Sequence, residues 1–153
     1  MVRSRTVLGF DFGRERIGVA IGQELTATAR PLVTLPVRAQ RPDWDAISQL
    51  ISEWRPDLLV VGVPRHADGS PSATTTHALR FSRQLQGRYR LAVETIDERL
   101  SSREAQGLIA EAMHLRRRQR RDKATIDQVA AALILESWFH HQGTPTPCRT
   151  SND

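Results

Sequence analysis

The run LLVVGV at residues 58–63 contains no polar side chain. A strand with one face in water alternates apolar and polar residues, whereas an uninterrupted apolar run of this length is typical of a strand covered by helices on both faces. The segment before it, residues 43–55, repeats apolar residues at helical spacing and stops at Pro56. These two segments together predict an α/β domain built around a central sheet.

The other segments extend this pattern. Strands are predicted at 6–12, 15–22, 25–35, 58–63 and 91–96, and helices at 43–55, 71–86, 102–114 and 126–140. Because three strands precede the alternating part, we predict a mixed five-stranded sheet of order 3-2-1-4-5, with strand 2 antiparallel and helices on both faces. Pro31 predicts an edge strand or a bulge in the third strand, and Thr125 is expected to cap the last helix. The packed face of that helix is predicted to be Ile126, Val129, Ala130, Leu133, Ile134 and Trp138.

Length and composition predict one globular domain in a reducing compartment. The 153 residues, 39% hydrophobic and 25% charged, are expected to form a single domain at 1–142, followed by a disordered tail at 143–153. No apolar stretch approaches the roughly 18 residues of a membrane span, and the N-terminus is too polar for a signal peptide. A single cysteine, Cys148, allows no internal disulfide. A cytoplasmic location is therefore expected.

The positive charge is concentrated in one segment. Residues 103–123 carry seven basic and three acidic side chains, within a chain whose net charge is +5. Such a patch favours an anionic polymer as partner, although a solvated charged loop explains it about equally well.

Three acidic residues stand at positions where an α/β sheet gathers its functional groups. Asp11 interrupts an apolar strand, Glu98 follows the fifth strand, and Asp127 lies near the start of the last helix. Ligands of open α/β sheets bind at the carboxyl ends of the strands, where these three positions converge. Carboxylates in one cleft repel each other unless a cation neutralises them, and oxygen-only ligands favour Mg²⁺ or Mn²⁺ over zinc. Two such ions would promote phosphodiester hydrolysis.

Each acid also has a purely structural interpretation. Asp127 can complement the helix dipole, and Glu98 can form a surface ion pair with Arg99. Asp11 is harder to explain in this way, because aspartate is disfavoured inside strands.

Four segments resemble the YqgF family, also called RuvX, in order and spacing. They are FDFGRERIGVAIG, LLVVGVPRHADGS, DERLSS and KATIDQVAAALILESWF, and the resemblance covers residues 7–139. It implies a ribonuclease H-like fold and metal-dependent hydrolysis of a nucleic-acid backbone. It also implies that Asp11, Glu98 and Asp127 are the metal-binding catalytic residues. One loop departs from the family's usual LPxNMDG, because His66 stands where asparagine is common, and a solvent-facing role is favoured for this histidine.

Nucleic-acid contacts are expected from basic residues at the rim of this site. They are Arg14, Arg65, Arg116, Arg117, Arg118, Arg120, Arg121 and Lys123. Arginines placed on a loop between two ligands can hold phosphates without reading sequence.

The leading functional hypothesis is a nuclease of the cytoplasm that processes the 5′ end of precursor 16S rRNA. Structured RNA and ribosomal precursor particles are the expected partners, and the chain is expected to be a monomer or a weak homodimer without membrane contact. The alternatives are a Holliday junction resolvase, which must dimerise to cut two strands, and a nucleic-acid-binding protein without turnover. The presence of all three acids argues against the latter. The D-x-G turn also occurs in actin-like ATPases, but those proteins need two such domains.

Overall fold

The computed structural model describes residues 4–66, 68–98 and 123–142, apart from the side chains of 123–125 and 142. The predicted helix at 102–114, the arginines at 116–121 and the predicted tail at 143–153 lie outside these residues.

Six strands and three helices make up the described chain. They are β1 (Thr6–Phe12), β2 (Arg16–Gln23), β3 (Thr28–Arg38), β4 (Arg41–Pro42), α1 (Trp44–Trp54), β5 (Leu58–Val63), α2 (Ala73–Tyr89), β6 (Ala92–Asp97) and α3 (Lys123–Gln142). No helix in the described ranges is long and apolar enough to cross a membrane.

The sheet has the order β4-β3-β2-β1-β5-β6, with β1 antiparallel to β2 and parallel to β5. The predicted order of the five main strands is confirmed, but the predicted strand count is wrong. The third strand runs on to Arg38 and turns back into the two-residue β4, which forms a sixth strand. Such short pairing carries no hydrophobic alternation, so the sequence pattern does not reveal it.

A bulge interrupts the pairing of β2 with β3. The register shifts between Val19 and Ala20, which face Val33 and Pro31 on β3. Proline has no N–H to donate to a neighbouring strand, so the ladder is interrupted where Pro31 lies. The predicted irregularity at this proline is confirmed.

Capping side chains explain where α1 and α2 begin, whereas α3 begins at a different residue from the one predicted. Asp43 accepts a hydrogen bond from the Ala46 N–H at 3.1 Å at the start of α1. Ser72 and Thr75 form a reciprocal capping box at the start of α2. Helix α3 begins at Lys123, so Thr125 lies inside the helix and the predicted cap is wrong. Lysine and alanine are good helix formers and extend the helix past the threonine towards its N-terminus.

Alternate residues of the central strands face two different cores. Leu8, Phe10 and Phe12 of β1 pack towards α1 and α2. Val7 of β1 packs on the other face, against α3. The sheet is therefore covered on both faces, as the apolar run of β5 predicts.

The buried face of α3 lies differently from the prediction. Its fully or nearly fully buried residues are Ala131, Ala132, Leu133, Ile134, Leu135, Trp138 and Phe139, whereas Ile126, Val129 and Ala130 are half-buried. The helix is apolar nearly all round in this stretch, so periodicity alone does not identify the side that meets the sheet.

Glycines on β1 and β2 bring α3 close to the strand backbone. A Cβ added at Gly9 would lie 3.1 Å from the Leu135 Cβ, and one at Gly22 would lie 2.8 Å from the Phe139 ring. At Gly18 it would lie 2.0 Å from the backbone oxygen of Asp127. Backbone cannot move aside as a flexible side chain can, so Gly18 determines how closely the first turns of α3 approach the sheet.

We expect Gly18→Ala to destabilise the protein by more than about 3 kcal/mol, because its methyl group must displace α3 from the sheet. Chemical denaturation measures this change. Gly87→Ala is the matched control, because a Cβ at Gly87 in α2 meets no atom within 4 Å. That control should stabilise the protein by about 0.5–1 kcal/mol, since alanine favours helix. Equal stability of the two variants would contradict the close contact.

Candidate functional site

Asp11 lies near the carboxyl end of the central strand, between two glycines. It pairs in register with Gly18 of β2 and with Gly62 of β5. Strand alternation places it on the same face as Val7 and Gly9, which is the face covered by α3. Neither neighbour in the sheet has a side chain, so the space beside Asp11 is open to groups from elsewhere in the chain.

Glu98 and Ile134 of α3 share the space over Gly62. Glu98 directly follows β6, which ends at Asp97, and a Cβ on Gly62 would lie 3.3 Å from the Glu98 Cγ. The Glu98 side chain reaches across β5, and its carboxyl group lies close enough to that of Asp11 for hydrogen bonding between them to affect the pKa of both. The same added Cβ would lie 2.8 Å from the Ile134 Cδ1, so the glycine in the apolar run of β5 makes room both for α3 and for the Glu98 side chain.

Asp127 reaches the other side of Asp11 through α3. Its backbone packs on Gly18, and its carboxylate is close enough to act electrostatically on Asp11. Because α3 begins at Lys123, Asp127 lies beyond the first turn. A role as a helix-dipole acid is correspondingly weaker there.

Arg16 holds the Asp127 carboxylate. The Arg16 Nε donates to the Asp127 Oδ2 at 2.7 Å, and the two side chains are 34% and 22% exposed. The same guanidinium lies 3.5 Å from the exposed Glu15 carboxylate. Arg16 thus neutralises the third acid in this structure, while the Asp11–Glu98 pair relies on a shared hydrogen bond.

Burial and like charge raise the pKa of both paired acids. Burial is the largest cause for Asp11, followed by the hydrogen bond and charge of Glu98 and then the charge of Asp127, and together they raise its pKa well above the ordinary value. Burial also raises the pKa of Glu98, with a further contribution from Asp97, although the hydrogen bond from Asp11 opposes this shift. The pair disfavours two full negative charges and is a site where a cation would be stabilised.

The side chains at this site offer carboxylate oxygens, which are the ligand atoms that hard cations such as Mg²⁺ prefer. Asp11 and Glu98 present adjacent carboxyl oxygens, and Asp127 presents a third carboxylate that Arg16 holds. Among the described histidine, cysteine and acidic side chains, no group of three is placed to hold one ion as the side chains lie. Asp127 would have to exchange Arg16 for the ion to join the other two acids.

The predicted nucleic-acid contacts fall into three groups. Arg14 is exposed in the turn between β1 and β2. Arg65 lies 3.7 Å from the Asp97 carboxylate. Lys123 begins α3, and its side chain is outside the described residues, as are Arg116, Arg117, Arg118, Arg120 and Arg121.

The loop after β5 is ordered by its own hydrogen bonds. The His66 N–H donates to the Ser70 carbonyl at 3.0 Å, and the Asp68 Oδ1 accepts from the Ser70 N–H at 2.9 Å. His66 is exposed, in agreement with the favoured solvent-facing interpretation.

Sequence reasoning missed two residues that shape this site. The sequence pattern places Arg16 at the start of a strand and Gly62 inside an apolar run, and it assigns neither residue to the site. A glycine inside a strand is a signal of close approach by another group, and that signal could have identified Gly62. Nothing in the sequence pairs Arg16 with an acid 111 residues away.

Comparison with known proteins identifies the family. A family model described as "RuvX: Holliday junction resolvase" matches residues 5–141. The chain belongs to the RuvX family. A relative from Nitrosococcus oceani, named "Putative pre-16S rRNA nuclease", is 48% identical over 142 residues, covering 93% of this chain and 91% of the relative. A relative of the same name from Pectobacterium carotovorum is 45% identical over 141 residues, covering 92% and 99%.

Solved structures of resolvases share the fold of this RuvX protein. RuvC of T. thermophilus in complex with a Holliday junction substrate matches with a TM-score of 0.56 and 17% identity, covering 94% of this chain and 99% of that one. Fowlpox virus resolvase with Holliday junction DNA matches with a TM-score of 0.53 and 9% identity, covering 91% and 99%. At these identities the similarity shows the fold, and it confirms the ribonuclease H-like architecture expected from the sequence.

We expect Asp11→Asn to raise the melting temperature at neutral pH in buffer without divalent ions. The asparagine amide can donate to Glu98 and removes one charge from a crowded acidic site. Because folding raises the pKa of Asp11, its ionisation destabilises the wild-type protein as pH rises from the ordinary pKa of aspartate towards the raised one. The variant should lack this component of the pH dependence.

The measurement is thermal unfolding across a pH series in a chelator. Glu53→Gln is the control, since Glu53 is an exposed acid on α1, away from the site. An Asp11→Asn protein that is no more stable than this control would refute the electrostatic crowding.

Proposed function

We propose that this protein is a cytoplasmic nuclease that hydrolyses phosphodiester bonds in precursor 16S rRNA. The carrying observation is the half-buried Asp11–Glu98 pair, with Asp127 alongside, at the carboxyl edge of a ribonuclease H-like sheet. Membership of the RuvX family and the names of the 43–48% identical relatives support the substrate. Ribosomal precursor particles are the proposed setting of the reaction.

We further propose that Asp11, Glu98 and Asp127 hold Mg²⁺ or Mn²⁺. A divalent ion bound there would activate water and stabilise the leaving oxygen of the cleaved phosphodiester. The glycines on either side of Asp11 have no side chains, so Glu98 after β6 and Asp127 of α3 can approach it from both sides. Partial burial of the pair strengthens its attraction for a cation, because charges interact more strongly where less water surrounds them.

Basic residues around the acids would hold the substrate backbone. Arg14 is exposed in the turn after β1. Arg65 lies beside the carboxylate of Asp97, the residue that directly precedes Glu98. The arginines at 116–121 belong to the segment that joins Glu98 to the helix of Asp127. We propose that they contact phosphates, which would make binding strongly dependent on salt.

A Holliday junction resolvase is the second candidate function. The fold similarity to RuvC bound to a junction and the family description favour it. Resolution of a junction needs two active sites related by two-fold symmetry, so this function requires a dimer. A strictly monomeric protein in solution would exclude it.

Parallel cleavage assays test the proposal. We expect wild-type protein with Mg²⁺ or Mn²⁺ to cut a precursor 16S rRNA fragment, and Asp11→Asn to lose this activity by at least about a thousandfold while still binding RNA. A synthetic four-way DNA junction is the competing substrate, and Glu53→Gln controls for purification.

Cleavage of the junction alone would support the resolvase. RNA binding without any cleavage would support a non-catalytic binding protein. Equal cleavage by wild type and Asp11→Asn would indicate a contaminating nuclease and contradict the assignment of the site.

Arg16 supplies a test of the metal site that does not depend on cleavage. If Arg16 and the ion compete for Asp127, Arg16→Gln should lower stability without metal by about 1 kcal/mol, a modest value because both side chains are partly exposed. It should also increase the stabilisation that Mg²⁺ provides. Thermal unfolding against Mg²⁺ concentration measures both effects. Arg14→Gln is the matched control, and an identical Mg²⁺ response of the two variants would contradict competition at Asp127.

A further inference from the structure

A cavity of about 510 Å³ opens on the face of the sheet opposite the acids. Its walls come from the β3–β4 turn, the start of α1 and one side of α2. Phe12 lies in the wall and directly follows Asp11 in β1, so the cavity and the acidic site share the same end of the central strand. Alternation along β1 directs the two side chains to opposite faces.

The cavity is lined by positive charge without acidic residues. Arg41, Arg80 and Arg88 lie in its wall, and all three are exposed. No carboxylate among the described residues forms an ion pair with any of them. Three guanidinium groups that no described carboxylate neutralises surround one concave space, and they favour an anion with several oxygen atoms.

An aromatic stack holds one of these arginines in place. The Arg88 guanidinium lies 4.1 Å from the centre of the Trp44 ring. On Trp44, the Phe81 ring stacks at 5.6 Å with an interplanar angle of 29°. This cation–π contact orients Arg88 without neutralising its charge and leaves a planar group on which a base can stack.

The turn that closes the cavity has an unfavourable backbone. Ala39 and Gln40 both have positive φ, at 50° and 62°, in the two-residue connection between β3 and β4. Turns of this kind prefer Asn-Gly, and a left-handed conformation costs other residues about 1–2 kcal/mol each. Such conformations cluster at binding sites, and here the turn carries Gln40 and Arg41 into the cavity wall.

We propose that this cavity binds one unpaired nucleotide of the RNA strand that the acidic site cleaves. The phosphate would contact the arginines, and the base would stack on Arg88, with the Gln40 amide and His77 within the same wall as hydrogen-bonding groups. The volume lies within the range of about 300–1,000 Å³ typical of small-molecule sites. The link to cleavage rests on the proposed function, whereas nucleotide binding itself does not.

Binding of a short RNA to full-length protein tests the proposal. The probe is fluorescein-labelled hexauridylate, titrated by anisotropy over a salt series in the non-cleaving Asp11→Asn background. We expect Arg80→Gln with Arg88→Gln to weaken binding at least about tenfold and to lower the salt slope by about 0.7, which is the contribution of one phosphate contact in a single strand. Arg83→Gln is the matched control, because Arg83 is exposed on the same helix and does not line the cavity.

Arg88→Lys separates stacking from charge. It keeps the positive charge but loses the planar guanidinium, so binding should weaken while the salt slope stays near that of the parent. Cooperative thermal unfolding of each variant shows that it is folded, with at most a small drop in melting temperature where the contact of Arg88 with Trp44 is lost.

Two results would overturn the proposal. One is binding by the Arg80 and Arg88 variants that equals the Arg83→Gln control. The other is an acidic hexapeptide that binds the cavity more tightly than hexauridylate. If the cavity variants lose binding but wild-type protein fails to cut precursor rRNA, the nucleotide site stands and the proposed function fails.

Discussion

The close packing of α3 on the glycines of the central strands is the contact on which the rest of the site depends. Gly18 admits the backbone of Asp127, and Gly62 admits Ile134 of α3 and the side chain of Glu98, on either side of Asp11. A methyl group at Gly18 would push α3 outwards and carry Asp127 with it. The acids can therefore lie where they do because the neighbouring strands have no side chains at Gly18 and Gly62. The same glycines serve both the packing of the fold and the site.

That packing brings together groups that repel each other. The Asp11 and Glu98 carboxyl groups meet where both residues are half-buried, which raises the pKa of each, and Arg16 neutralises the charge of Asp127. Such a cluster lowers the free energy of unfolding, and a ligand that binds the folded protein there can restore that stability. The cluster is thus better explained by a bound cation than by a structural role, and it is the physical basis of the proposed nuclease.

The central strand, β1, contributes a residue to the acidic site on one face of the sheet and a residue to the cavity on the other. Asp11 points to the acidic site, and Phe12, one residue later, lines the basic cavity. An RNA strand that passes around the carboxyl edge of the sheet would meet carboxylates on one face and arginines on the other. This arrangement separates the groups that would cleave the backbone from those that would hold it.

The sequence by itself determined the fold class, the order of the main strands and the residues to examine. Those features depend on local periodicity, on the apolar run at 58–63 and on an aspartate such as Asp11 inside a strand, all of which can be read along the chain. Tertiary structure decided which face of α3 is buried, that Gly62 makes room for Glu98, and that Arg16 holds Asp127. It also decided that arginines from β4 and α2 surround one cavity with Trp44. These features depend on contacts between residues far apart in the chain, and local patterns do not encode the side on which distant segments meet.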